Sequence, residues 1–174
     1  MDLTGIIEAV LFIAEEPISL KDMAEITGTA VEETEKALKE ALTRYEDNGS
    51  GLQILKVAGG YQLATRPEAA PYIQKMDREG HTLRLSQAAM ESLAIIAYKQ
   101  PVTRIEIEAI RGVRVDRVLE NLLKKKLIRV TGRKSVPGRP MTYGTTKKFL
   151  QYFGLNGLEE LPPLENFKEM QKSL

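Results

Sequence analysis

The chain has 174 residues, of which 43% are hydrophobic and 28% are charged, a composition typical of globular rather than disordered proteins. It contains no cysteine and a single histidine, His81, which excludes a disulfide framework and a zinc site built from cysteine and histidine. The net charge is +1, yet residues 1–80 carry −7 and residues 81–174 carry +8. This asymmetry indicates two units with different partners.

The first predicted element is an apolar helix over residues 6–14. It is too short to span a bilayer, and no basic segment precedes it as a secretory signal would require. We therefore expect a cytoplasmic protein.

An internal repeat includes the end of this helix, because residues 9–28 align with residues 93–112 at an offset of 84. Pro17 aligns with Pro101, and each ends an apolar helix, since the residue before a proline is held out of helical geometry. One fold unit is therefore predicted to be present twice.

The second helix of each copy has matching start and stop signals. Ser19 and Thr103 are predicted N-caps, each followed three residues later by a carboxylate that can return the capping bond. Gly28 and Gly112 can adopt the left-handed conformation that ends a helix. The second helices are therefore short.

A third helix follows in each copy, over Val31 to about Tyr45 and over Val115 to about Lys126, where apolar residues recur at helical spacing. In the first copy Thr29 and Glu32 are predicted to form a capping box.

Strand patterns follow both third helices. In the first copy residues 52–57 and 61–65 flank Ala-Gly-Gly, which is a strong hairpin signal. In the second copy residues 127–131 and 141–146 flank a longer loop.

Three helices followed by a hairpin form the winged-helix variant of the helix-turn-helix. The sequence therefore predicts an α+β, mainly helical protein with two tandem winged-helix domains, over residues 1–80 and 81–155. Residues 76–82 are the predicted linker, and residues 156–174 are predicted to form a partly flexible tail.

No enzyme signature emerges. Gly132-Arg-Lys-Ser135 is similar to the end of a phosphate-binding loop, but the required earlier glycine is missing and a strand follows instead of a helix. His81 has no cysteine or second histidine to complete a nucleophilic dyad, and the candidate carboxylates lie at helix caps or on solvated helix faces. We expect no enzyme activity, no metal and no cofactor.

The charges of the two copies are compatible with two kinds of binding partner. The second copy has basic residues on its third helix and wing, as a DNA-binding winged helix would: Arg114, Arg117, Lys124–Lys126, Arg133, Lys134 and Arg139. The third helix of the first copy carries four glutamates and two lysines over residues 31–40, and phosphate would repel it. A DNA-binding transcriptional regulator and a protein-binding module both fit.

The loop within residues 132–146 suits protein binding. Pro137 and Pro140 restrict the backbone, Gly138 permits an unusual turn, and Arg139 between them is a pre-placed donor for a carboxylate or carbonyl. The alternative is an ordinary rigid wing tip.

Three blocks, residues 85–113, 132–146 and 149–163, resemble the segregation and condensation protein B family. The first 80 residues resemble it mainly in pattern, and Val115 departs from the small polar residue usual there.

The resemblance implies a non-enzymatic subunit of a bacterial SMC complex that acts in chromosome condensation and partition during the cell cycle and cell division. Such proteins form homodimers and bind the kleisin subunit, segregation and condensation protein A, which links them indirectly to the SMC ATPase. The N-terminal winged helix is then the dimerisation domain and the C-terminal one binds the kleisin. A cytoplasmic, nucleoid-associated location is implied, without a membrane or cofactor; a weak DNA contact through the basic domain stays open.

The interface residues follow from exposure and chemistry. For the kleisin we predict arginine, tyrosine and glutamine side chains near the helix junctions and wing of the second domain: Tyr98, Gln100, Arg104, Arg111, Arg139 and Tyr143. For self-association we predict first-helix residues: Ile6, Val10, Leu11 and Phe12. The alternatives are that the tyrosines pack internally and that the first-helix residues fill the core.

Overall fold

The computed structural model describes residues 1–47, 49–76 and 85–163 of the protein. His81, most of the predicted linker and the chain beyond residue 163 lie outside the described residues. The described chain divides into two compact units.

The first unit consists of residues 1–65 together with the segment that starts at Leu150, and the second is Arg66–Phe149. This division differs from the predicted boundaries in two places. Residues 66–76 belong to the second unit and residues 150–155 to the first.

The first unit is a winged helix, as predicted. Its elements are α1 (Leu3–Ile13), α2 (Leu20–Thr27), α3 (Val31–Asp47), β1 (Leu52–Val57) and β2 (Gly60–Thr65). The strands pair antiparallel in a register that runs from Leu52 opposite Thr65 to Val57 opposite Gly60.

The turn of this hairpin is two residues long. Ala58 and Gly59 have φ of 53° and 75°, and positive values at both positions are what a type I′ turn requires. Just after it, Tyr61 forms a backbone bridge with Ile18, in which each N–H donates to the other carbonyl at 2.8 and 2.9 Å. The wing is thereby attached to the segment between α1 and α2.

The core of the first unit lies between its three helices and β1. Thr4, Ile7 and Leu11 recur every three or four residues, which puts them on one face of α1. Ile7 and Leu11 pack with side chains of the other elements: Met23, Ala37, Leu38, Ala41 and Ile54.

The start of α3 corrects one prediction. Thr29 does not form a capping box with Glu32; its hydroxyl is instead 2.8 Å from the hydroxyls of both Thr27 and Thr34. Thr34 is fully buried and also donates to the carbonyl of Ala30. A chain of threonine hydroxyls thus joins the end of α2 to the start of α3.

The second unit is also a winged helix, preceded by α4 (Ala70–Met76). Its elements are α5 (Gln87–Lys99), β3 (Val102–Thr103), α6 (Arg104–Arg111), α7 (Asp116–Lys124), β4 (Ile128–Arg133) and β5 (Met141–Thr145). The strands form an antiparallel sheet in the order β3-β5-β4, with a bulge between Val130 and Gly132.

The predicted caps and stops of the second helices are present in both units, but only Glu106 returns the capping bond, because Asp22 accepts the Ser19 hydroxyl at 2.7 Å instead. The Ser19 hydroxyl accepts from the N–H of Asp22, and Thr103 forms a capping box with Glu106. Gly28 and Gly112 adopt left-handed conformations with φ of 68° and 71°.

The core of the second unit lies between α5, α6 and α7. Its largest fully buried side chains are apolar: Leu93, Ile96, Ile107, Val115, Leu122 and Leu127. Val115 is the N-cap of α7 without a side-chain cap; the carboxylate of Glu108 accepts its N–H at 3.2 Å. A valine at this position therefore packs in the core, while Glu108 provides the hydrogen-bond acceptor for its backbone N–H.

The chain continues through α8 (Lys147–Phe153) and returns to the first wing. The carbonyl of Leu155 accepts the N–H of Ala58 at 2.8 Å, and Gln151 donates to Gln62 at 2.9 Å. Part of the predicted flexible tail is therefore held: Leu158–Glu160 form a 3-10 turn, and Glu160 accepts from Asn156.

Candidate protein-interaction surfaces

The outer face of α1 carries an apolar cleft with a volume of about 500 Å³. We call it the α1 cleft, and its lining is apolar throughout: Met1, Ile6, Ala9, Val10, Ile13, Ala14 and Ile18. Ile6, Val10 and Ile13 recur every three or four residues, so α1 has a second apolar stripe besides the one that faces the core.

The first turn of α1 is fixed by polar contacts beside this cleft. The carboxylate of Asp2 accepts the N–H of Gly5 at 2.8 Å and pairs with Arg44 at 3.1 Å. The Gly5 N–H, followed by Arg44, holds the pKa of Asp2 below its usual value. An exposed ion pair thus joins α3 to the N-terminus of α1.

The predicted dimerisation residues separate in the structure. Ile6 and Val10 line the α1 cleft. Phe12 is 71% exposed but is not part of the cleft lining. Leu11 is only 1% exposed and packs in the core. The prediction that it contributes to dimerisation is therefore wrong.

Ile13 was missed by the sequence reasoning although it is 76% exposed. Its signal was present, because Ile6, Val10 and Ile13 share the spacing of an amphipathic face. An almost continuously apolar helix hides that signal, since the buried and exposed stripes are equally hydrophobic.

In the second unit, the Gln100 side chain is engaged within the domain. Its Oε1 accepts the N–H of Thr145 at 2.7 Å, while its Nε2 donates to the Thr145 hydroxyl and to the carbonyl of Ala97. Gln100 thus joins the end of α5 to β5. We therefore do not include it among the residues of the kleisin surface.

Arg111 is also held inside the unit. Its side chain is 10% exposed and donates to Ser92 at 3.1 Å and to the Glu91 carboxylate at 2.8 Å. These contacts join α6 to α5. The expected exposure of Arg111 is therefore corrected, although its position near the helix junction is as predicted.

Three other predicted residues lie near β5 and the wing. Arg104 is exposed and pairs with Asp116, which raises the pKa of the arginine. Tyr143 is half-buried in β5 opposite Val102 and interacts electrostatically with Arg104. Tyr98 is half-buried on α5 and has a polar or ring partner of its own.

Arg139 lies in a structured wing tip. The N–H of Arg139 donates to the carbonyl of Val136 at 2.9 Å, with Pro137 and Gly138 at the centre of the turn. Gly138 has φ of 81°, as the third position of a type II turn requires, and Arg139 follows with φ of 39°. Arg139 is exposed on this turn.

Glu106 anchors the base of this wing. Its carboxylate pairs with Lys134 and accepts the N–H and hydroxyl of Thr103 at 2.9 and 2.8 Å. The pairing with Lys134 and the bonds from Thr103 lower the pKa of Glu106 to about 2. The carboxylate therefore stays ionised at all physiological pH values.

A second cleft of about 430 Å³ lies beside Glu106. We call it the α6 groove, and its lining combines α6 with the end of α5: Lys99, Pro101, Val102, Glu106, Ala109 and Ile110. Ile110 is 50% exposed, and two further apolar side chains of this region, Ile105 and Val113, are 60% and 54% exposed. The sequence reasoning chose the polar neighbours and missed these apolar residues.

Two kinds of site are absent from the residues that the structure describes. No group of three or more histidine, aspartate or glutamate side chains there could hold a metal ion. No helix in the described ranges has the length and apolar character needed to cross a membrane.

Comparison with known proteins identifies the relatives of the chain. The family model of the segregation and condensation complex subunit ScpB matches residues 5–164. Segregation and condensation protein B of Desulforamulus reducens is 48% identical over 161 residues, which cover 92% of this chain and 88% of that protein.

Two solved structures are also similar. The crystal structure of ScpB from Mycobacterium tuberculosis has 33% identity and a TM-score of 0.43, covering 89% of this chain and 98% of that one. A crystal structure of a dimer of the ScpB N-terminal domain complexed with a ScpA peptide has 30% identity and a TM-score of 0.40, covering 42% of this chain and 91% of that one.

Proposed function

The chain belongs to the family of the segregation and condensation complex subunit ScpB, and we propose that it works in an SMC complex as a homodimer that binds the kleisin subunit. The observation that carries this proposal is the family match over residues 5–164, together with 48% identity to a segregation and condensation protein B. The subunit has no chemistry of its own; it supports chromosome condensation and partition in the cytoplasm, at the nucleoid.

The α1 cleft is the proposed dimer surface. Exposed apolar area is costly in water, and Met1 and Ile13 of the cleft lining are 96% and 76% exposed. A second copy is a suitable cover because a two-fold axis can bring the same apolar stripe from each copy together. Asp2 at the start of α1 pairs with Arg44 of α3, and this pair offers a polar edge to such a contact.

The α6 groove with the adjacent wing is the proposed kleisin surface. Pro101, Ala109 and Ile110 give the groove an apolar lining, which a protein interface needs and a nucleic-acid interface does not. Lys99 and Arg139 add cations at the rim, so the matching kleisin segment would carry apolar side chains flanked by carboxylates. Tyr98, Arg104 and Tyr143 lie near β5 and support this surface.

The dimer is tested by light scattering of the full chain. Ile13→Asp places a charge in the α1 cleft and should reduce the measured mass to that of a monomer. Ile26→Asp is the matched control, because Ile26 is 58% exposed on α2 and lies outside the cleft. An unchanged mass for Ile13→Asp would remove the cleft from the dimer contact.

The kleisin contact is tested by co-elution with the kleisin fragment. Ile110→Asp should abolish co-elution and Arg139→Glu should weaken it, whereas Ile26→Asp should have no effect. Retained co-elution of both variants would exclude the α6 groove. Tight, sequence-selective DNA binding by a chain that binds no kleisin would instead favour a transcriptional regulator.

A further inference from the structure

The second unit has a basic stripe along α7 that plays no part in the proposed protein contacts. The basic stripe consists of Arg114, Arg117, Asn121 and Lys124. Their spacing of three, four and three residues follows one face of the helix and the turn before it. All four side chains are exposed.

The cations of the stripe have no anionic partner within the described residues. Three acidic groups of this unit are used elsewhere: Glu91 pairs with Arg111, Glu106 with Lys134, and Asp116 with Arg104. Glu120 on α7 is exposed and makes none of these ion pairs. Arg114, Arg117 and Lys124 make none of these ion pairs. Three positive charges therefore lie close together in solvent and repel one another, and the exposed carboxylate of Glu120, three residues after Arg117 and four before Lys124, offsets this only in part.

The first unit shows that the fold does not need these cations. Thr34 and Ala37 of α3 are buried like Leu119 and Leu122 of α7, so the third helices correspond at an offset of 85. At that offset the stripe positions in the first unit are Thr29, Glu32, Lys36 and Lys39. Lys39 is already paired with Glu35 at 2.8 Å, and Glu32 stands where the second unit has Arg117.

We propose that the basic stripe binds the phosphates of double-stranded DNA, without regard to base sequence. Residues 114–124 span about 15 Å at 1.5 Å per residue, and the major groove of DNA is wide enough to admit a helix. Arg and Lys neutralise phosphates, while the Asn121 amide between them donates to a phosphate oxygen. This contact goes beyond the proposed binding of the kleisin and does not depend on it.

The composition of the stripe favours DNA over an acidic protein segment. A protein interface has an apolar centre, but the stripe contains two arginines, an asparagine and a lysine and no apolar side chain. Purely ionic contacts without apolar burial are typical of binding to the phosphate backbone. An acidic peptide is the competing ligand, and measurements of DNA binding and of kleisin co-elution with the same variant distinguish the two.

The experiment measures fluorescence anisotropy of two labelled DNA duplexes of unrelated sequence with the full chain over a series of salt concentrations. The variant is Arg117→Glu with Lys124→Glu. The control is Lys21→Glu with Lys36→Glu, which makes the same change in net charge at exposed positions of the first unit. Circular dichroism checks that both variants remain folded.

We expect the wild type to bind both duplexes equally at low salt. The stripe variant should bind at least about tenfold more weakly, with a salt slope reduced by about 2, because about one counterion is released per phosphate contact. The control variant should bind like the wild type.

Three results would overturn the proposal: no binding by the wild type at low salt, equal loss in the control variant, or binding to only one duplex. Unchanged DNA binding with lost kleisin co-elution in the stripe variant would also overturn it, because the stripe would then be a protein-binding surface.

Discussion

The two winged helices share their backbone devices but differ in how the wing is attached. In the first unit a single bridge, Ile18 to Tyr61, connects the wing to the segment before α2. In the second unit the corresponding segment is a strand, β3, whose Val102 pairs with Tyr143 in a three-stranded sheet. The two units therefore share their topology, but this attachment of the wing to the segment before the second helix, which we call the wing seam, differs in strength between them.

Their surfaces differ more than their frames. N-caps, left-handed glycines and the wing seam recur because any sequence with this fold must end its helices and provide hydrogen-bond partners for its backbone groups. Exposed charges meet no such requirement, so they can diverge between the copies. Glu32 in one unit and Arg117 in the other occupy equivalent exposed positions, so the two surfaces have opposite charge there.

The largest expected effect tests the two seams directly, through Gly60→Ala and Gly144→Ala. A Cβ on Gly60 would lie 2.8 Å from the backbone of Ile18, so the bridge itself must open. We expect a loss of about 3 kcal/mol in the free energy of unfolding of the first unit. A Cβ on Gly144 would meet the side chains of Gln100 and Thr131 rather than backbone, and we expect about 1 to 2 kcal/mol as these side chains shift.

Chemical denaturation gives these losses, and amide hydrogen exchange assigns each to its own unit. Gly51→Ala is the control, because a Cβ there would meet nothing within 4 Å. Equal losses for Gly60 and Gly144 would show that the two seams tolerate crowding alike, contrary to the comparison.

The caps of the second helices should respond less. Removing an N-cap hydroxyl costs about 1 kcal/mol, so Ser19→Ala should destabilise the first unit by about that amount. Thr103→Ala should cost somewhat more, because Thr103 is buried and belongs to a complete capping box, whereas Ser19 is only half-buried. Denaturation curves of both variants measure the difference, and a larger loss for Ser19→Ala would contradict it.

The smallest expected effect is the acid response of the second unit. Glu106 has a pKa of about 2 in the folded protein against an ordinary value of 4.5, so the folded state binds its proton less readily than the unfolded state. The stabilisation is present above pH 4.5 and is lost as the pH falls from there towards 2. Glu106→Gln should remove this part of the pH dependence.

Urea denaturation of Glu106→Gln and the wild type at several pH values between 5 and about 2 measures the acid response. Glu33→Gln serves as the control, because Glu33 is exposed on α3 and has no ion pair in the described chain. An acid response of the second unit that survives in Glu106→Gln would assign it to other carboxylates.

The sequence was sufficient for the local features. Caps at Ser19 and Thr103, stops at Gly28 and Gly112, and the hairpin turns each depend on residues a few positions apart. The winged-helix order followed from them. The offset of 84 was correct for the second helices, whereas burial sets it at 85 for the third helices because the second unit has one more residue in the preceding turn.

Features that depend on distant residues could not be predicted in this way. The residues around Val102 do not predict a strand, because the strand forms by pairing with Tyr143, which is far along the chain. The burial of Leu11 and the exposure of Ile13 depend on which face of α1 meets α3, and both faces are apolar. The interface residues were predicted from side-chain type, which does not reveal that Gln100 and Arg111 are engaged internally.

The hydrogen bond from Ala58 to Leu155 has a consequence for synthesis. The ribosome releases the first hairpin long before the residue that accepts its turn N–H exists, so the N-terminal winged helix must wait for nearly the whole chain before its last backbone bond can close. An N-terminal fragment expressed without residues 150–163 would lack that closure. We expect its turn amide to exchange freely with solvent even where the three helices have already folded.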